Sequence, residues 1–328
     1  MGSMNALNGS TASSAGNAVT AASTALGYLG PEGTYTHQAA QAYVNNRPSA
    51  TTAPLVTARR PYELIPYPDI AGILEAVSEE KVHGGIVPAE NSIEGAVNLT
   101  LDILMQEAKL YIQGEFTLDI RHLLLSYTTE LHRIQTVISH YQALAQCRNF
   151  LKKYLPNASI VTKESTADAV RLLAEQKQAG TAAIGSYAAH LRYRVPVLAA
   201  DLGDYPQNQT NFLLIGKKPY AASFLSPASQ KTTFVVYPPE NKPGELYNIL
   251  SVFAKYQINL SKIFSRPHKS RPGNYLFWLD CALSPEHPNF PALLDELKHS
   301  SFHCKNLGTY PVYYFPPETV NSNVQNQH

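Results

Sequence analysis

What most restricts this chain is a repeated local order. A short apolar run is followed by small or polar residues, and then by a segment with helical apolar spacing. Ala25 to Leu29 leads into Gly30-Pro31-Glu32-Gly33-Thr34-Tyr35-Thr36 and a helical stretch from Gln38 to Val44. Gly85-Ile86-Val87 leads into Pro88-Ala89-Glu90-Asn91-Ser92-Ile93-Glu94-Gly95 and an apolar-periodic segment from Ala96 to Leu104. Val137-Ile138 leads into Ser139-His140-Tyr141-Gln142 and a helix from Ala143 to Leu151. Ile160-Val161 leads to Ser165-Thr166 and the helix Ala167 to Gln176, and Ala182 to Ile184 leads to Gly185-Ser186-Tyr187 and a short helix. Strand and helix in alternation build open α/β sheets, whose ligands gather at the carboxyl ends of the strands.

The second unit carries the most chemistry. It reads as a strand ending in proline, a tight polar turn and a helix. The turn sets a carboxylate, an amide and a hydroxyl beside a helix N-terminus, where unpaired N–H groups and the helix dipole favour an anion. The plainer alternative is that Asn91 and Ser92 only cap the helix. Several such helix starts around one crevice would suit a ligand with more than one carboxylate.

The 328 residues call for two or three domains. With 44% apolar and 16% charged residues and a net charge of +1, the chain fits an ordinary globular protein, with no nucleic-acid or membrane partner expected. No apolar run approaches the roughly 20 residues that span a bilayer. Cys147, Cys281 and Cys304 are too scattered for a disulfide framework or a zinc site, so no metal is expected and a reducing compartment is. Residues 1–24 are rich in Ser, Ala, Thr, Asn and Gly, without the features of a signal peptide; they read as a disordered leader in a cytoplasmic protein. The bend from Arg47 to Pro68, with Pro48, Pro54, Pro61 and Pro66, reads as an irregular exposed insertion.

A composition break near Lys217 to Lys231 sets a linker at 219–230, between a first region at 25–218 and a second at 231–316, with a polar tail at 317–328. The second region reads as βαββαβ. Strands are expected at Thr232 to Tyr237, Ile258 to Phe264, Tyr275 to Leu283 and Leu307 to Tyr310. Helices carry Leu246, Ile249, Leu250 and Phe253 on one face, and Phe290, Leu293, Leu294 and Leu297 on another. This is a ferredoxin-like unit, small and open-edged, which favours pairing with a second copy.

Gly30-Pro-Glu-Gly-Thr-Tyr-Thr36, Pro88-Ala-Glu-Asn-Ser92 with Gly95, and Thr210-Asn211-Phe212 resemble the signature regions of the prephenate dehydratase family. Gly244-Glu-Leu-Tyr247 and Ser265-Arg-Pro267 resemble the effector motifs of its C-terminal ACT domain. The resemblance runs in order from about Leu26 to Pro311. It implies two α/β lobes similar to periplasmic binding proteins, followed by the ACT domain. The chain would cross between lobes near Tyr111 to Leu124 and near Val197 to Leu214.

The resemblance implies decarboxylation of prephenate with loss of its ring hydroxyl, giving phenylpyruvate without a cofactor. It marks Thr210 as catalytic. A threonine hydroxyl is too weak an acid to titrate near neutrality, so its role would be a placed hydrogen-bond donor to the leaving oxygen. Glu90 would orient Thr210 or water, and Asn91 would act beside it. Thr34, Ser92, Ser165, Thr166 and Phe212 would hold substrate, with Gln142, Gln146 and His140 as further candidates. Gly244, Leu246, Asn259, Leu260, Ser261 and Ser265 would hold phenylalanine in a homodimer or homotetramer. Two departures from the family pattern stand out: Asn211 replaces an arginine, and Phe264 replaces a glutamate. If strand alternation holds, Asn211 faces away from the cleft. The alternatives are an arogenate dehydratase, or a non-catalytic amino-acid or aromatic-acid sensor. A fused chorismate mutase domain is not expected.

Overall fold

The computed structural model describes residues 25–46, 62–106, 109–220 and 230–317. The leader, the bend from Arg47 through Pro61, linker residues 221–229 and the tail from 318 lie outside the described residues.

The first lobe is laid down as β1 (Ala25–Leu29), α1 (Tyr35–Asn46), β2 (Glu63–Tyr67), α2 (Ile70–Ser78), β3 (Gly84–Asn91), β4 (Gly95–Ala96), α3 (Asn98–Gln106) and β5 (Tyr111–Asp119). Apolar spacing explains the helices: Ile70, Ile73, Leu74 and Val77 of α2 form one buried stripe, and Asp69 caps its start by accepting from Gly72 N at 2.7 Å. Two expectations are corrected here. Pro66 lies within β2, not in an irregular insertion; among the described residues β2 pairs only with β1, at the sheet edge, where a missing N–H is tolerated. The segment after Pro88 is not a turn into a helix. β3 continues to Asn91, β4 hairpins back on it, and α3 starts only at Asn98.

The second lobe holds β6 (Leu123–Ser126), β7 (Thr136–Ser139), α4 (Tyr141–Gln146), α5 (Arg148–Tyr154), β8 (Ser159–Thr162), α6 (Thr166–Gln176), β9 (Thr181–Gly185), α7 (Tyr187–Tyr193) and β10 (Val197–Ala199). Its sheet order is β10-β6-β9-β7-β8. The helix expected from Ala143 to Leu151 is broken at Cys147. There Asp204 N donates to Gln146 O at 2.7 Å and the Asp204 carboxylate accepts from Asn149 N at 3.1 Å. The chain then returns to the first lobe as β11 (Gln209–Gly216), antiparallel between β3 and β5. The lobes are therefore joined by two crossings, 120–122 and 200–208.

The C-terminal domain is β12 (Gln230–Tyr237), α8 (Glu245–Lys255), β13 (Leu260–Pro267), β14 (Tyr275–Cys281), α9 (Phe290–His299) and β15 (His303–Phe315). Its antiparallel order β13-β14-β12-β15 is ferredoxin-like. β15 is longer than the expected Leu307 to Tyr310, because its last residues, Val312 to Phe315, pair in parallel with Glu115 to Leu118 of β5. One sheet thus runs from the C-terminal domain through the first lobe. Gly308 makes the junction: its φ is +127° and a Cβ there would sit 2.7 Å from Ile112 O.

Both faces of the C-terminal sheet are covered. Phe234, Val236, Leu279 and Cys281 pack on α8 and α9. Val235, Leu276 and Trp278 share a core with Leu101, Leu104 and Met105 of α3. Each fully buried side chain of this kind contributes about 1.5–3 kcal/mol, so the domain and the lobe are held by packing as well as by the shared strand.

Candidate active site

A cleft of about 590 Å³ lies between the lobes, a size that suits a small organic ligand. The starts of α1, α4 and α6 open onto it through Thr34 to Thr36, Gln142 with Ala143, and Ser165 with Thr166. The opposite wall is Thr210 and Phe212 on β11 with Pro88 and Asn91 on β3. Among the described residues lining the cleft there is no lysine or arginine. Anion binding there would rest on N–H and O–H donors and helix starts. Among the described residues, no cluster of His, Cys, Asp or Glu is arranged to hold a metal.

The polar groups form one connected network. Asn91 Oδ1 accepts from Ile93 N and Glu94 N, both at 3.0 Å. Asn91 Nδ2 donates to Asn208 Oδ1 at 2.8 Å, to Gln209 O at 3.0 Å and to Thr210 Oγ1 at 2.9 Å. Asn208 Nδ2 donates to Gln146 Oε1 at 2.9 Å, and His122 Nε2 meets the same oxygen at 2.8 Å. Gln146 Nε2 donates to Glu94 Oε1 at 3.3 Å, and Tyr35 Oη lies 2.6 Å from His122 Nδ1. Burial lowers the pKa of His122 and raises that of Tyr35, so both are neutral near pH 7.

This arrangement decides what Thr210 can do. Its oxygen already accepts from Asn91, so its own hydrogen is left for another acceptor, and the side chain lines the cleft. Strand alternation holds along β11: Thr210 and Phe212 face the cleft, while Asn211 Oδ1 accepts from Thr117 Oγ1 at 2.8 Å on the far side. The register shift falls on β3, where Asn211 pairs with Glu90 and Phe212 with Pro88, leaving Ala89 as the extra residue. Such a bulge re-aims the residues after it. Asn91 therefore joins Pro88 on the cleft wall, and Glu90 turns to the other face. There it pairs with Lys262 of the C-terminal domain at 2.6 Å. Glu90 as an orienter of Thr210 is thus corrected by the geometry.

Thr34, Gln142, Gln146, Ser165, Thr166, Phe212 and His140 also line the cleft. Two of the hydroxyls are engaged as caps: Thr34 accepts from His37 N, and Ser165 from Asp168 N. Ser92 does not line the cleft; it bonds with Gln207 O and Gln209 N at the crossing. Sequence reasoning passed over Glu94, Tyr35, His122, Asn208 and Glu164. Glu94 lay inside a quoted motif, but His122 stood in an apolar flank with no local signal.

A second groove, of about 400 Å³, lies on the C-terminal domain between the start of α8 and β14. Gly244 and Leu246 line it, with Tyr247, Leu250, Tyr275 and Phe277. Asn259, Leu260, Ser261 and Ser265 stand on or just before β13 and do not line it. Phe264 faces the first lobe, packed against the core shared with α3.

Fold and cleft together define a two-lobed α/β protein with a ligand site between its lobes and a ferredoxin-like domain fused to one of them. Residues 26–220 match the prephenate dehydratase family, and the chain belongs to it. A prephenate dehydratase of Methanocaldococcus jannaschii is 44% identical over 229 residues, covering 70% of this chain and 81% of its own. That of Lactococcus lactis subsp. lactis is 33% identical over 291 residues, covering 88% and 98%. The solved structure of prephenate dehydratase from Arthrobacter aurescens in complex with L-Phe superposes with a TM-score of 0.72, at 33% identity, over 88% of this chain and 90% of that one.

Proposed function

We propose that this chain converts prephenate to phenylpyruvate, carbon dioxide and water, under control by phenylalanine. The observation that carries the reading is the Asn91–Thr210 contact, which frees the Thr210 hydrogen for a leaving oxygen in the cleft. In the reaction the ring carboxylate leaves as carbon dioxide. Its bonding pair enters the ring and the carbon–oxygen bond at the far ring carbon breaks. The oxygen leaves as hydroxide, steadied by a hydrogen bond from Thr210, which Asn91 orients, and becomes water by taking a proton from solvent. Helix starts and the Gln146 amide hold the carboxylates, which fixes the eliminating geometry.

We assign residues 25–218 to catalysis and 231–316 to an ACT-type regulatory domain, joined by a linker at 219–230, in a cytoplasmic homodimer or homotetramer. Phenylalanine is assigned to the region of the second groove, with Gly244 and Leu246. Among the described residues, no helix is long and apolar enough to cross a membrane. Measuring phenylpyruvate release from prephenate, with and without phenylalanine, tests the reading; no release from well-folded protein overturns it. One observation favours a second substrate: Glu94 and Glu164 line the cleft, and an ammonium group would find a carboxylate there. Comparing turnover of prephenate with that of arogenate, its amino analogue, decides between them.

A further inference from the structure

Asn91 Oδ1 is fixed by two backbone donors, Ile93 N and Glu94 N, which cannot reverse their polarity. The Asn91 amide group must therefore present Nδ2 to Asn208 Oδ1. Asn208 in turn presents Nδ2 to Gln146 Oε1. With its oxygen so committed, Gln146 accepts from His122, which must carry its hydrogen on Nε2. Nδ1 is then the acceptor for the Tyr35 hydroxyl. The backbone of the turn after β3 thus sets the tautomer of a histidine in the crossing between the lobes.

We infer that His122 is a positioning residue for the reaction: as a neutral imidazole donating from Nε2, it locks the Gln146 amide with its NH2 turned to the cleft. This rests on the assignment of the cleft as the site of prephenate turnover. His122 itself is 3% exposed, and both of its ring nitrogens are occupied within the protein. It acts through Gln146, whose Nε2 reaches Glu94 in the cleft wall. A reversed Gln146 amide would set NH2 against the N–H groups of both Asn208 and His122. Two donors hold the working orientation, and removing the His122 donor leaves one.

The test uses the full chain and two readouts. Nitrogen-15 NMR of histidine-labelled protein, with the His122 signal assigned by its loss in His122→Leu, should show a neutral ring protonated at Nε2. A ring protonated at Nδ1, or an imidazolium at pH 7, overturns the inference whether or not prephenate is turned over. In kinetics, His122→Leu should lower kcat/KM about 10- to 100-fold, the scale of one hydrogen bond acting on a charged ligand. His122→Gln, which keeps a donor near the place of Nε2, should recover to within about threefold. His122→Asn, whose shorter amide can offer an acceptor to Tyr35 but does not reach Gln146, should remain impaired. Gln146→Ala combined with His122→Leu should be no worse than Gln146→Ala alone. Equal losses in the Gln and Leu variants, or losses that multiply in the double variant, overturn it. Wild-type protein that releases no phenylpyruvate would instead count against the substrate reading, and the NMR result would stand apart from it.

Discussion

Lys262 Nζ lies 2.6 Å from Glu90 Oε2, so the edge strand of the C-terminal domain holds the residue that immediately precedes Asn91. Two residues before Arg266, Phe264 packs on the first lobe, and Arg266 pairs with Asp102 of α3 at 2.6 and 2.8 Å. Lys262, Phe264 and Arg266 are thus alternate residues of β13 facing one side, as a strand's period of two requires. The contact exists because the bulge at Ala89 turns Glu90 away from the cleft.

Partly buried ion pairs of this kind add on the order of 1 kcal/mol to stability. Their position suits communication better. Lys262→Met and Glu90→Gln are expected to leave kcat within about threefold of wild type while weakening inhibition by phenylalanine. A coupling of about 1–3 kcal/mol is typical of such control. Inhibition curves for each variant check this; unchanged half-inhibition in both would sever the link. Deleting everything beyond 219 is a poorer test, because it strips β15 from β5.

Thr210→Val keeps the shape of the side chain and removes the donor. Turnover should fall roughly 10²–10³-fold with the fold intact, the scale for loss of one transition-state donor. Near-normal kcat in protein with native circular dichroism would remove Thr210 from the mechanism.

Asn91→Asp is nearly isosteric, yet it replaces the NH2 that donates to Thr210 with an acceptor. The Thr210 hydrogen would then turn toward the new carboxylate and leave the cleft. Turnover should fall about as far as in Thr210→Val, and the double variant should add little. A fully active Asn91→Asp protein would show that the Thr210 hydrogen is not directed by this contact.

Gly308→Ala places a Cβ against Ile112 O at a φ of +127°. The expected loss is about 2 kcal/mol or more, from backbone strain and the clash at the β15–β5 junction. Denaturant unfolding measures it, and a change under about 0.5 kcal/mol would mean the junction yields easily.

Burial lowers the pKa of His122 and His37 below the ordinary 6.5. The unfolded chain takes up these protons first, so stability should fall as pH drops below about 6.5. Each histidine contributes a slope of up to about 1.4 kcal/mol per pH unit until its folded form also protonates. At the other end, burial raises Tyr35 and Cys147, so stability should fall again as pH rises above about 9, where the unfolded thiol ionises. Unfolding free energies from pH 5 to 10 trace both limbs, and His122→Gln should flatten the acid one.

Much of the scaffold was readable from periodicity. Alternating strands and helices, the βαββαβ order and the outward turn of Asn211 all derive from patterns local to a few residues. The site was readable only where such patterns held. Thr210 and Phe212 share a face because β11 is regular. The facing of Glu90 is hidden in the sequence because one extra residue, Ala89, reverses the facing of the residues after it, and nothing in the letters marks that bulge. His122, Asn208 and Asp204 come from the two crossings, whose meeting with α4 is a product of the fold. Pro66 is ambiguous in sequence because an edge strand tolerates proline and a turn also attracts it.

The strand shared by the C-terminal domain and the first lobe has a mechanical consequence. The strands of the described residues fall into two sheets of unequal size, and the groove proposed for phenylalanine lies on the larger one with β11 and Asn91. A swing of the C-terminal domain away from the Thr210 wall would have to break the β15–β5 pairing. The lobe of the smaller sheet, which carries Gln146, Ser165 and the start of α4, is joined to the larger one by the crossings at 120–122 and 200–208, so a change in the width of the cleft would be a movement of that lobe about those crossings.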